Sequence, residues 1–445
     1  MKNSHSSNVK RVLHQSLRKI FSFFPRVVRF AVYRSFVDCD PKPDKCLVLK
    51  IAETREELEA CFKLLHDAYV GSGFMQPHPS GMRISIYHAL PTTTTLCAKF
   101  DGEVVGTISL IRESVFGFPL QSIFDLHELR EKNGRIAEVS ALAVHPKFRK
   151  TGGSILFPLM KFMYEYCTNF FDTRHLVIAV NPNRIDMYES LLLFKRLTEN
   201  SVENYDFANG APAIGASLDL HVAPENLKAV YGKKASHKNL YLYFVRMKLL
   251  NILMPGRRYF TTNDPVMTPE LLDYFFNQRT QIFQHLKKRE KGLLHSIYNH
   301  PEYQQVLPPY ISESDLPIRQ RMHQRYSLKC PGSFAVMGTE TMDVYELQVI
   351  ELSDEGFLAH AKEPLPINVQ GEAHVRLGST ERSITKATVI HGKRKDSHGI
   401  YGFKLIESDL SWRKLVGALQ SGATHEDVDN VAQLLPVPVN IAPLQ

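Results

Sequence analysis

The residues that could do chemistry lie close together in one stretch. Glu138 stands inside Ile136 to Val144 (IAEVSALAV), a run otherwise apolar except for Ser140. A carboxylate buried in such a run is costly unless it is paired or used, and burial lifts its pKa toward that of a useful general base. Its alternative is a structural pair with Arg135 or Arg83. After His145-Pro146 the chain turns through Arg149, Lys150, Gly152, Gly153 and Ser154. The N–H groups of a helix start, backed by the positive dipole end, suit an anion. Glycines let a phosphate approach the backbone, and Arg149 adds a forked donor. The alternative there is a solvated strand-to-helix turn.

Those residues need a strand, a turn and a helix to hold them. The composition of Ile136 to Val144 predicts a buried strand. Ile155, Leu156, Leu159, Met160 and Met163 then recur at helical spacing after Ser154. Upstream, Leu47 to Ile51 reads as a strand and Thr54 to Tyr69 as a helix with a Thr cap. Thr95 to Phe100 and Val104 to Ile111 flank Asp101-Gly102, a hairpin signal. Downstream, His175 to Val180 reads as a buried strand, Asp186 to Phe194 as a helix, and Ile214 to Leu220 as a closing strand.

The stretch Arg149-x-x-Gly152-x-Ser154 resembles the pyrophosphate loop of GNAT acyltransferases. Glu138-Val-Ser140-Ala-Leu142-Ala-Val144 resembles the Glu-x-Ser-Arg-Leu/Phe-x-Val strand of the N-acyl amino acid synthases and the related acyl-homoserine-lactone synthases, with Ala141 at the usual Arg. Arg83 followed by Pro91 to Thr95, Gly102 to Thr107, Phe118-Pro119, Leu129-Arg130 and Gly134-Arg135 also resemble that family, in order. Tyr188 and Phe194 resemble the Tyr-and-Phe helix of GNAT proteins, with Leu193 at the usual Gly.

The resemblance implies a mixed α/β sheet over residues 45–224 and transfer of a long acyl chain to an amine. Its donor is an acyl carrier protein phosphopantetheine thioester, or acyl-CoA, with no covalently bound cofactor and no metal. In that reading Glu138, Ser140 and Tyr188 are catalytic. Leu142, Val144, Arg149, Lys150, Gly152, Gly153 and Ser154 hold the donor, and Arg83 meets the acceptor, a small amine or amino acid. Tyr188 reads equally as a core tyrosine.

The remaining chain divides by pattern. Residues 1–44 form a basic amphipathic segment: before Asp38 there are eight bases and no acid, and the remainder of the chain is neutral. This suits contact with an anionic membrane surface, against the alternatives of an arm packed on its own protein or an organellar transit peptide. The neutral body disfavours nucleic acid. Residues 225–312 read as a helical extension with a linker, and Lys238 to Met254 as a piece that packs on the catalytic domain or lines an acyl tunnel. Residues 313–425 show short alternating strands, and 426–445 form a tail. Arg321-x-x-x-Arg325 and Glu351-x-Ser353-x-x-Gly356 resemble the two motifs of PilZ domains, which bind cyclic di-GMP, with Glu351 at a position usually Asp or Asn. The six cysteines lack a Cys-x-x-Cys pair, which argues against a zinc site or disulfide framework. No apolar run reaches spanning length. The expectation is a bacterial cytoplasmic N-acyltransferase, peripheral on the inner membrane face, fused to a PilZ barrel that responds to cyclic di-GMP. The alternatives are an acetyl-CoA-dependent GNAT acetyltransferase and a non-catalytic cyclic di-GMP receptor.

Overall fold

A computed structural model describes residues 24–39, 42–114, 116–132, 134–149, 151–169, 171, 173–254, 267–298, 301–310, 326–336, 343–377, 381–395 and 398–420. Lys150, Arg321, Arg325 and the tail 426–445 lie outside the described residues.

Helix α1 (Arg26–Ser35) leads to β1 (Leu47–Ile51), α2 (Arg55–Ser72), β2 (Thr93–Phe100), β3 (Glu103–Arg112) and β4 (Arg135–Val144). There follow α3 (Leu156–Asn169), β5 (Thr173–Val180), α4 (Pro182–Leu191), the short β6 (Lys195–Arg196) and β7 (Val202–Tyr205), and β8 (Ala211–Asp219). The strands form one sheet in the order β1-β2-β3-β4-β5-β8-β6, with β7 also on β8. Only the central pair β4–β5 is parallel among these pairings. Local signals explain the boundaries. The Thr54 hydroxyl accepts the Glu57 N–H, and α2 ends on Gly73 at φ +76°. Asp101 and Gly102 both turn at positive φ, as a two-residue hairpin requires.

Both faces of the sheet are covered. Leu159, Phe162 and Tyr166 of α3 pack on Leu49, Leu96, Ile108 and Leu176. Leu58, Phe62 and Leu65 of α2 pack on the other face with Cys97, Ala141 and Ala143, joined there by Phe275, Phe276 and Phe283 of the extension. The start of α3 sits so near β3 that a Cβ on Gly106 would lie 2.8 Å from Ile155 Cγ2.

The extension is less helical than its composition suggests. It contains α5 (Ala223–Tyr231) and α6 (Lys288–Ile297), but Lys238 to Met254 forms short turns and then runs along the free edge of β1. Leu49 donates to the Asn251 carbonyl at 2.9 Å, and Leu253 donates to the Leu49 carbonyl at 2.8 Å. The segment thus packs on the sheet domain by covering its edge strand. Lys161, buried within α3, anchors the same segment through the Phe244 carbonyl at 3.1 Å.

The C-terminal region is a closed barrel of β9 (Tyr326–Val336), β10 (Val344–Leu352), β11 (Gly356–Ala361), β12 (Gln370–Arg376), β13 (Arg382–Lys395) and β14 (His398–Glu407), in the order β10-β11-β14-β13-β12-β9. Helix α7 (Leu410–Gln420) places Trp412, Leu415, Val416 and Leu419 in its core. This barrel is compatible with the PilZ expectation. Two elements differ from the sequence reading. Strand β11 was not expected, because Ala359 and Ala361 are small and give little alternation. Strand β9 carries Pro331-Gly332 within it, a pair that reads as a turn; a Cβ on Gly332 would meet the His374 carbonyl at 2.8 Å.

The described part of the basic segment packs on its own chain. Arg29 pairs with Asp186, Arg26 reaches Glu189 at 2.8 Å, and Arg34 donates to the Ser190 carbonyl at 2.9 Å, all on α4. Pro25 is the N-cap of α1, and the residues before Phe24 lie outside the described residues.

Candidate active site

The site begins as a defect in the sheet. Thr107 pairs with Ala143 and Ser109 with Ser140, so two residues of β4 oppose one of β3. Ala141 takes up the extra residue at φ +54°, the signature of a bulge. Pairing between β4 and β5 stops at Glu138–Val177, while β5 stays on β8 as far as Val180–Ile214. The bend therefore parts the two parallel strands and opens a cleft of about 340 Å³ between them.

Glu138 lies where the strands part. It is 2 % exposed, and its Oε2 accepts the Leu120 N–H at 3.0 Å. Burial pushes its pKa up to about 8, and the Leu120 bond offsets only part of that. Neither arginine that could have neutralised it does so. Arg135 donates to the Ile350 carbonyl at 2.7 Å and lies 3.6 Å from Glu351. Arg83 stacks on Tyr69 at 3.9 Å and on Phe207 at 4.8 Å, and donates to the Phe207 carbonyl at 2.6 Å. Tyr69 and Phe207 line the cleft, and Arg83 is not among its lining residues.

Ser140, Leu142, Val144, Arg149 and Tyr188 line the cleft beside Glu138. Beyond Glu138 the β5-facing edge of β4 has no β5 partner, which leaves backbone groups for a ligand strand or amide. Arg149 Nε donates to the Val144 carbonyl at 2.7 Å, and Arg149 stands at the open end of that edge. Gly152 and Gly153 turn at positive φ behind it. A Cβ on Gly153 would lie 2.6 Å from the Phe157 ring. Ser154 bonds Thr151 through their hydroxyls at 2.6 Å and so serves the turn. Those three residues are not among the cleft lining. Tyr188 sits edge-on to Phe194, and burial pushes its phenol up to about 12, so it stays a neutral donor. Leu193, at the position the resemblance gives to Gly, turns at φ +64°.

Sequence reasoning missed the opposite wall. Asn181 and Arg184 open α4 there, and Tyr205 and Phe207 come from the β7–β8 corner. Asn181 caps the helix by accepting the Asn183 N–H at 3.0 Å, a signal readable as Asn-Pro. Nothing local marks Tyr205, whose hydroxyl is buried without a hydrogen-bond partner. Burial, and then the neighbouring Glu138, push its pKa upward. The cleft floor is apolar: Ile108, Met160, Met163 and Ile178. Among the described residues no cluster of three His, Cys, Asp or Glu could hold a metal.

In the barrel, Ser353 is buried and committed to a turn. Its N–H and hydroxyl both donate to the Gly356 carbonyl, and Trp412 Nε1 donates to the Ser353 carbonyl at 3.1 Å. Glu351 faces Arg135 of the sheet domain. A Cβ on Gly356 would meet the Phe403 carbonyl at 2.3 Å, so that glycine is required by packing.

Residues 60–219 match the family model described as N-acyl amino acid synthase FeeM. No curated protein matches the chain. Among solved structures, FeeM, an N-acyl amino acid synthase from uncultured soil microbes, is 24 % identical over 40 % of this chain and 93 % of its own, with a TM-score of 0.34. The AHL synthase LasI is 16 % identical over 47 % of this chain and 98 % of its own, with a TM-score of 0.32. BjaI, a CoA-dependent acyl-homoserine lactone synthase, is 17 % identical over 48 % of this chain and 94 % of its own, with a TM-score of 0.31. The solved structures, at these scores, add nothing to the family match. That match covers β2 to β8 and the residues that line the cleft, and it supports an N-acyltransferase enzyme.

Proposed function

We propose that the chain transfers a long acyl group from a carrier-protein thioester to the amine of an amino acid. The observation that carries this is Glu138, a buried carboxylate with no ion-pair partner among the described residues, lifted to about 8 at the point where β4 and β5 part. A base of that strength suits an ammonium group, which must lose a proton before its nitrogen can attack. The thioester lies along the open edge of β4. N–H groups among Leu142 to Val144 stabilise the oxyanion as the C–N bond forms. When the C–S bond breaks, Tyr188 gives its proton to the thiolate and regains one from the attacking nitrogen as the amide forms, while the first proton leaves through Glu138. Ser140 orients the acceptor or Glu138. Arg149, Lys150, Gly152, Gly153 and Ser154 form the pantetheine-phosphate end of the donor site. The apolar floor supports an acyl chain as cargo. Arg83 acts on the acceptor through the two rings it braces.

The C-terminal barrel, in this reading, is a PilZ-type regulator that binds cyclic di-GMP through Arg321, Arg325 and the Glu351–Gly356 turn. Mass spectrometry of lipid extracts from cells overproducing the chain, or its Glu138→Gln variant, tests the reaction. A new acylated amine that requires Glu138 is expected. Its absence, with acetylated amines in its place, selects an acetyl-CoA enzyme; no Glu138-dependent product of either kind leaves a non-catalytic receptor. Calorimetry with cyclic di-GMP tests the barrel, and no heat at high micromolar ligand removes that part of the reading.

A further inference from the structure

The side of α4 away from the cleft carries a pattern that acyl transfer does not use. Helix α1 turns its charged side inward, onto Asp186, Glu189 and the Ser190 carbonyl. Its apolar side therefore faces out: Val27 is 80 % exposed and Val28 43 %, with exposed Ala31 continuing the row at helical spacing. A surface helix of a globular protein has the opposite arrangement. Phe36, just past the helix, is 75 % exposed beside the buried Val37. Val37 shares a cluster with Leu240, Tyr243, Phe244 and Leu249. Next to Leu249 stands Leu250, 95 % exposed. Two segments far apart in sequence thus rim one cluster with exposed apolar side chains. They are tied by Cys39 N–H to the His237 carbonyl at 2.7 Å and Lys238 Nζ to the Ser35 carbonyl at 3.1 Å.

Charge selects the occupant. From Asn226 to Met254 the chain has six bases, Lys228, Lys233, Lys234, Lys238, Arg246 and Lys248, and no acid. Arg26, Arg29 and Arg34 of α1 are taken up by α4, so the bases that answer an occupant are the exposed Lys228, Lys233, Lys234, Arg246 and Lys248. A second copy meeting this surface by two-fold symmetry would set bases against bases. An acidic protein would answer the bases and leave Leu250, Phe36 and Val27 without an apolar partner. An anionic bilayer answers both, with apolar side chains among the acyl tails and bases at the phosphates.

We propose that α1 and the segment 233–254 form one lipid-facing surface that seats the protein on anionic membranes. This goes beyond the acyl-transfer reading and stands without it. Only α4 separates that surface from the cleft: it gives Asp186 and Glu189 to α1 and Tyr188 to the cleft.

The test is flotation of the full chain with phosphatidylcholine vesicles, with and without phosphatidylglycerol. Binding is expected only with phosphatidylglycerol and should fall as salt rises. Phe36→Ser with Leu250→Ser should lower vesicle affinity about tenfold or more, without changing thermal unfolding. Lys233→Glu with Lys234→Glu should do the same. No binding of the unaltered chain, or affinity that survives both pairs of substitutions, overturns the proposal. So does a dimer seen by light scattering without lipid that Leu250→Ser dissolves, which gives the face to a second copy.

Discussion

In its proposed role Glu138 links stability and activity in opposite directions. Its carboxyl is lifted from 4.5 to about 8 by burial. Between those values the unfolded chain is ionised there and the folded chain holds the proton, so stability falls as pH rises and the loss levels off above about 8. Glu138→Gln removes that dependence. The variant should unfold at higher denaturant than the parent at pH 8, by on the order of a few kcal/mol, and the gap should close toward pH 4. It should also lose roughly 10²- to 10⁴-fold in rate. In the parent, kcat/KM should climb with pH to a plateau above about 8, because the base works ionised. Tyr205→Phe makes a contrasting prediction. Its buried hydroxyl has no partner among the described residues, so its loss should leave stability unchanged or raised while raising the acceptor KM. Arg149→Ala should raise the donor KM more than it lowers kcat, since a phosphate is held alike in ground and transition states.

At the scale of elements, the bulge at Ala141 and the packing of α3 decide the cleft together. The bulge parts β4 from β5, and α3 must sit close on β3 to bring the Gly152-Gly153 turn to the open end. Gly106→Ala presses on that contact. A Cβ there would meet Ile155 at 2.8 Å and Ala98 at 3.3 Å. We expect a destabilisation of about 1–3 kcal/mol in chemical denaturation, with a raised donor KM as the turn shifts. Helix α1 depends on α4 in a different way. Arg29 and Asp186 are each less than a fifth exposed, and Arg196 also approaches Asp186, at 3.8 Å. Asp186→Ala takes from Arg29 the acid it pairs with, while Arg196 keeps Glu189 at 2.9 Å. It should speed amide hydrogen exchange across Arg26–Ser35 well before it affects the sheet strands.

Across the whole molecule, one contact ties the barrel to the cleft domain at a chemically consequential place. Arg135 begins β4, three residues before Glu138, and holds the Ile350 carbonyl and Glu351 at the β10 bulge. The pair is about a quarter exposed on each side, so it adds little stability, about 0.2–1 kcal/mol. Its position matters more than its strength. A ligand that engages Glu351 competes with Arg135 and so favours one arrangement of the two domains over another. Arg135→Ala should leave thermal unfolding of both parts nearly unchanged. The proposed cyclic di-GMP binding should be at least as tight in calorimetry as in the parent, while the proposed effect of that ligand on acyl transfer is reduced or lost. Unchanged regulation in this variant would assign the coupling to another contact.

The sequence by itself determined most of the sheet domain's elements, because local rules govern them. Thr54 and Gly73 bound α2, Asp101-Gly102 makes the hairpin, and the β-branched and apolar runs at Leu47 to Ile51 and His175 to Val180 sit in strands. Glu138 was legible as well, since a charge in a buried run stands out without any knowledge of its neighbours. Tertiary structure decided what Glu138 faces. Arg83 and Arg135 were both plausible partners by sequence; one is drawn away by two aromatic rings and the other by the barrel. The second wall of the cleft, Tyr205 and Phe207, comes from a corner whose pattern carries no period, so only the pairing of β7 with β8 reveals it. The orientation of α1 was decided in the same way. Its sequence makes an amphipathic helix of either facing, and acids on α4, more than 150 residues away, turn its arginines inward and its valines out. Local propensity acts over a few residues, whereas the partner of a buried or half-buried charge is set by which distant element reaches it first.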